Sequence, residues 1–146
     1  MKYDNYLKAE FPSCSANEAA ARALVGVFAA QLDPTLEQLG DLKTAVSEAV
    51  TNAIVHAYPD TVGRILLRCR ILEGTRVEIL VRDWGRGIED VEKARTPLFT
   101  TGGDDRSGMG FTIMESFMDK LTVRSNPGKG TTVVMTRTLK HKGRER

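Results

Sequence analysis

The chain is poor in cysteine: Cys14 and Cys69 form neither a CxxC pair nor a zinc-ligand spacing, so a disulfide scaffold and a zinc module are excluded and reduced, structural thiols are expected. No apolar run approaches the 18 or so residues of a membrane span, and MKYDNYLKAEF at the N-terminus lacks the apolar core of a signal peptide, which predicts a cytoplasmic protein with no membrane partner. Internal repeats and low-complexity tracts are missing. So are the two commonest nucleotide motifs, GxxxxGK[ST] and a full GxGxxG following a strand. Charge of one sign is scarce as well. The net charge is +2, but residues 137–146 hold five basic side chains against Glu145, so the remainder sums to about −2. That tail is expected to be flexible, and direct nucleic-acid binding is not expected.

What remains is ordinary globular composition, 41% hydrophobic and 27% charged over 146 residues, enough for one domain over 1–139 with a basic tail at 140–146. Leu7, Ala9 and Phe11 alternate toward Pro12, predicting a first strand. SANE at 15–18 has the form of a capping box, with Ser15 as N-cap and Glu18 three residues on, opening a helix to about Gln31. A second start signal, DPT at 33–35, predicts a helix to about Ala57, ended by Pro59. Its core stripe is Leu39, Leu42, Val46, Ala49 and Ala53.

From Arg64 to Ile71 apolar residues alternate with Arg64, Arg68 and Arg70. After the turn EGT at 73–75, Val77, Ile79 and Val81 repeat the pattern, so 64–82 reads as a β-hairpin. A short helical piece near Asp90–Ala94 precedes the long irregular segment TPLFTTGGDDRSGMG at 96–110, of a length typical of a functional lid. FTIMESFMDK then predicts a helix, and LTVRS, NPGKG and TTVVMTRTL predict two strands joined by a turn. The elements sum to a two-layer α/β (α+β) sandwich: a mostly antiparallel, mixed sheet with helices on one face.

Four clusters carry candidate chemistry. SEAVTNAIVHAY at 47–58 puts Glu48, Asn52 and His56 at steps of four on a helix, nearly one face. Asp83, at the end of the second hairpin strand, is followed by Gly85 and Gly87, and its carboxylate suits a ligand bearing an amino group. Gly108 and Gly110 stand before a helix, whose exposed N–H groups attract phosphate. GKGT at 128–131 precedes the last strand. Each alone also fits an ordinary turn or polar face, but the order ExxxN, DxGxG, GxG, GxGT rarely arises by chance.

In that order the chain resembles the GHKL, or Bergerat-fold, ATP-binding family of gyrase-type ATPases and histidine kinases. PLFTT, RSGMGFTIMESFMD and SEAVTNAIVHAY look like bacterial anti-sigma factors that are also serine protein kinases, of the sporulation, sigma-F type. The resemblance implies ATP, with ADP as product, and Mg²⁺. Asn52 would ligate Mg²⁺ through its amide oxygen, and Glu48 would be the general base. Asp83 would accept from the adenine amino group with Thr131 assisting, and Gly85 and Gly87 would let the base approach. The lid residues Thr100, Thr101, Ser107, Gly108, Met109 and Gly110 would hold the phosphates, and Arg106 would stabilise transferring charge.

The implied partners are a sigma factor of the F type, an anti-anti-sigma factor phosphorylated on serine, and a second copy of the chain in a homodimer, with Arg22 and Asp105 facing partners. The dimer surface would be the first strand or the exposed sheet face. His56 is expected to be structural. Trp84 and Ala57 depart from the family pattern, Trp84 at the rim of the base pocket. Two alternatives keep the fold: an ATPase or histidine-kinase-like catalytic module, and a sigma-binding module that holds nucleotide without turnover. A complete histidine kinase is disfavoured, since the only histidines are His56 and His141.

Overall fold

The computed structural model describes residues 3–96 and 110–139. The predicted first strand is β1 (Tyr3–Pro12). A helix α1 (Ala16–Ala29) follows and closes with a tight turn at Ala30–Leu32. Its start differs from expectation. Ser15 has helical dihedrals (φ −60°, ψ −28°) and its side chain caps nothing. With Ser15 already turned into the helix, its hydroxyl no longer meets the N3 amide, and Glu18 instead bonds Arg22 at 2.9 Å. The real capping box stands at the next helix, α2 (Leu36–Asn52), where Thr35 and Gln38 exchange hydrogen bonds at 3.1 and 3.0 Å.

Helix α2 does not run on regularly to Ala57. One π turn, Ala53–Ala57, ends it, a widening that recurs at functional sites. The hairpin consists of β2 (Arg64–Leu72) and β3 (Arg76–Asp83) around a turn in which Glu73 and Gly74 both have positive φ. After the short helix α3 (Val91–Ala94), capped by Asp90, the described chain resumes with α4 (Gly110–Phe117), β4 (Lys120–Asn126) and β5 (Gly130–Thr138).

The sheet order is β1-β2-β3-β5-β4, and every pairing is antiparallel, so the sheet is not mixed among the described residues. Its alternation does the sorting. Ile65, Leu67, Cys69, Val77, Ile79, Val81, Val133 and Met135 are buried beneath α1, α2 and α4, together with Leu42, Val46, Ala49 and Ala53 from the α2 stripe. Cys69 is a structural thiol, pushed up to about 12 by burial, whereas Cys14 is exposed.

Among the described residues, no helix covers the opposite sheet face. There Glu78 bonds Arg70 at 2.7 Å and Arg68 at 3.1 Å across the β2–β3 ladder. Trp84 belongs to this side too. The guanidinium groups of Arg64 and Arg82 lie over its ring, 3.7 and 4.6 Å from the centroid, and Trp84 is absent from the described rim of the cavity treated below.

Candidate functional site

Between α2, the end of β3, α3 and the start of β5 lies a cavity of about 780 Å³, within the roughly 300–1,000 Å³ of small-molecule sites. Asp83, Thr131 and Asn52 all line it. These three were expected together, and the antiparallel β3–β5 ladder is what joins the first two.

Asp83 closes β3 on the core face with 6% of its surface exposed. Its Oδ1 accepts from the Gly85 N–H at 3.0 Å and the Thr131 N–H at 3.1 Å. Both bonds fall on one oxygen, which leaves Oδ2 for a donor from the cavity. Burial pushes the Asp83 carboxyl above its usual range, and the two backbone bonds from Gly85 and Thr131 pull it back only in part. Thr131 is buried as well, at 8% exposure, and its hydroxyl sits 2.8 Å from the Ser125 hydroxyl.

The glycines after Asp83 have reasons other than an approaching ligand. A Cβ on Gly85 would stand 2.3 Å from the Ala57 carbonyl oxygen, so this glycine lets the loop pack on the π turn, and Gly85 is not on the cavity wall. Gly87 is on the wall, but its φ of +77° and a Cβ position 2.2 Å from the Asn126 oxygen also require glycine for the fold itself.

The π turn ties the loop down further. The Ala57 carbonyl accepts from the Arg86 N–H at 3.1 Å, and the Tyr58 hydroxyl accepts from the Trp84 N–H while donating to the Arg64 carbonyl, each at 2.7 Å. Tyr58 carried no assignment in the sequence, although a tyrosine just beyond a polar helix stripe and before a proline was a signal to follow. The same widened turn leaves Asn52, Ala53, His56 and Ala57 all lining the cavity. His56, expected to be structural as a helix-end hydrogen bonder or a packed residue, therefore borders the site.

Glu48 lies one turn before Asn52 on α2, half-buried and engaged in a polar interaction. It is not among the described residues lining the cavity. Gly110, the first residue of α4, comes against Asn52: a Cβ there would stand 3.1 Å from both terminal atoms of the carboxamide. Thr100, Thr101, Asp105, Arg106, Ser107, Gly108 and Met109 lie outside the described residues. Arg22 is exposed on α1, with its guanidinium paired to Glu18.

The arrangement can be tested against the group the resemblance implies. A buried carboxylate with one spare acceptor oxygen, and the Thr131 hydroxyl near it on the same wall, fit a purine with an exocyclic amino group. No cluster of three or more His, Cys, Asp or Glu suited to a metal occurs among the described residues. Asn52 alone fits Mg²⁺, which keeps several waters and phosphate oxygens around one or two protein oxygens. No helix among the described residues is long and apolar enough to cross a membrane.

Comparison with known proteins agrees with this geometry. Residues 11–137 match the family model described as "Histidine kinase-like ATPase domain". The chain is 56% identical over 147 residues to the "Anti-sigma F factor" of Caldanaerobacter subterraneus subsp. tengcongensis, covering all of both chains. It is 55% identical to that of Pasteuria penetrans, over 92% of this chain and 91% of that one. Among solved structures, the fold is similar to the RsbU and RsbW domains of Rv1364c from Mycobacterium tuberculosis, with a TM-score of 0.68 at 21% identity, over 93% of this chain and 32% of that one. It is also similar to the mycobacterial sensor histidine kinase MprB, with a TM-score of 0.59 at 14% identity, over 92% of this chain and 99% of that one.

Proposed function

Because the chain belongs to the anti-sigma F factors and is built on a histidine kinase-like ATPase domain, we propose that it holds a sigma factor of the F type and uses ATP to phosphorylate a serine of an anti-anti-sigma factor. The observation that carries this reading is that Asp83, Thr131 and Asn52 line one cavity, with Gly110 packed on the Asn52 carboxamide. ATP would supply the γ-phosphoryl group, and Mg²⁺, held with the help of the Asn52 amide oxygen, would neutralise charge as that group transfers.

The protein's own residues do the rest. Asp83 accepts from the base amino group and Thr131 adds a hydroxyl beside it. Glu48 takes the proton from the attacking serine hydroxyl. Arg106 stabilises the charge that develops on the transferring oxygens. A second copy of the chain would cover the sheet face opposite α1, α2 and α4, where the half-buried Leu66, Leu80 and Val134 lie among arginines. Arg22 and Asp105 would face the protein partners.

One observation favours a second reading, a sigma-binding module without turnover: Glu48 does not reach the described cavity wall. Incubation with labelled ATP, Mg²⁺ and a candidate anti-anti-sigma protein separates the two. Phosphoserine on that protein is expected, and Glu48→Gln is expected to slow transfer roughly 10²–10⁴-fold while ATP still binds. Label released only as free phosphate would mean an ATPase, and ATP bound but never cleaved would mean the binding module.

A further inference from the structure

Behind the cavity wall stands a hydroxyl that does not itself line the cavity. Ser125, on β4, faces Thr131 across the β4–β5 ladder. Its Oγ lies 2.8 Å from Thr131 Oγ1, accepts from the Ile88 N–H at 2.7 Å and donates to the Gly130 carbonyl at 3.1 Å. Ile88 and Thr131 both line the cavity, one from the loop after β3 and one from β5. One side chain therefore joins two walls that are 43 residues apart in sequence, Ile88 and Thr131.

A serine hydroxyl has one hydrogen and two lone pairs. The Ile88 N–H takes one lone pair and the Gly130 carbonyl can only accept, so the Thr131 hydroxyl completes the set by giving or taking a single hydrogen. With Ser125 donating to Gly130, Thr131 donates to Ser125 and offers its lone pairs to the cavity. With Ser125 donating to Thr131, the Thr131 hydrogen turns to the cavity. In both states the threonine hydroxyl keeps its place, and the bond chain leaves no buried hydroxyl unpaired.

Resting on the nucleotide reading above, we infer that Ser125 is a positioning residue for base recognition: it fixes the Thr131 hydroxyl next to the Asp83 carboxylate, so that the pair meets an aminopurine as a preformed unit. Thr131 is held from both sides, its N–H by Asp83 Oδ1 and its hydroxyl by Ser125. Pre-organisation of this kind raises affinity by removing the ordering cost of binding.

The experiment is calorimetric titration of the full chain with ADP. Ser125→Ala is expected to weaken ADP binding about five- to tenfold, the loss typical of one buried hydrogen-bond partner. Ser125→Thr, which keeps the hydroxyl, is expected to restore most of it. In a Thr131→Val background Ser125→Ala is expected to cost little more, because its partner is already gone.

An equal loss in both backgrounds would overturn the inference, leaving Ser125 as a support for Ile88 alone, and so would unchanged affinity. If Ser125→Ala melts too early to assay, Ser125→Cys replaces the hydroxyl by a weak donor. That variant is expected to lose affinity, and wild-type binding by it overturns the inference. Failure of the unmutated protein to bind ADP would instead defeat the nucleotide reading on which the inference rests.

Discussion

Strand β3 carries two enclosed carboxylates, Glu78 and Asp83, on opposite faces of the sheet. Burial alone would push Glu78 up, but hydrogen bonds and charge from Arg70 and Arg68 outweigh it and hold the carboxyl below its usual value. Asp83 receives only two backbone N–H groups, from Gly85 and Thr131, and burial pushes its carboxyl above the usual range. The fold satisfies Glu78 with its own arginines. At Asp83 it leaves a charge under-compensated and an oxygen open to a cavity. A buried group that the chain declines to neutralise is a candidate for ligand recognition, whereas one that it neutralises twice is holding the sheet together.

The most severe way to break this contrast is Asp83→Asn. The amide keeps an oxygen for the two backbone donors but turns an N–H donor toward the base amino group, so ADP affinity is expected to fall about 10–100-fold, as read by calorimetry. Folding stability is expected not to fall, because the ionised carboxylate no longer has to be buried.

Glu78→Gln does the reverse. It removes the charge between Arg68 and Arg70, whose side chains are only 25% and 23% exposed, and is expected to cost about 1–2 kcal/mol in urea unfolding with ADP affinity unchanged.

pH sharpens the difference. The folded value of Glu78 lies below the unfolded one, so its stabilisation is present above the ordinary glutamate value of about 4.3 and is lost as pH falls through the lowered folded value. Asp83 has the opposite sign. Its folded value lies above the ordinary value of about 3.9, so its burial cost is present at neutral pH and relieved as pH falls through the raised value. In urea titrations from roughly pH 7 to pH 3, the deficit of Glu78→Gln relative to the unmutated protein is expected to shrink, and any advantage of Asp83→Asn to shrink with it.

The smallest effect belongs to a control outside both regions. Gly40 lies within α2 with open space where a Cβ would go, so Gly40→Ala is expected to raise stability by about 0.5–1 kcal/mol. It should leave nucleotide affinity as it is.

Much of this was legible in one dimension, because local patterns carry it. The period-two alternation of 64–82 specified the hairpin and which face carries the arginines, and the apolar stripe of α2 specified its buried side. Asp83 and Thr131 stood out by the glycines beside them and Asn52 by its place on the polar stripe of its helix, while their roles came from the family resemblance. Misreadings arose where neighbours in space decide. Ser15 had the right letters for a cap and the wrong backbone angles. Gly85 makes room for the Ala57 carbonyl, a packing demand that its position in the sequence did not show. Trp84 stacks with Arg64 and Arg82 on the far side of the sheet.

The sequence by itself determined the elements, their buried faces and the types of group able to recognise a nucleotide, since propensity and periodicity depend on near neighbours along the chain. Only the tertiary structure decided that Ser125 stands behind Thr131, that both donors to Asp83 choose the same oxygen, and that a π turn brings His56 to the cavity and Tyr58 to the Trp84 amide. Two of these relations, Tyr58 with Trp84 and Asp83 with Thr131, join residues 26 and 48 positions apart. They follow from strand register and helix packing, which no local pattern encodes.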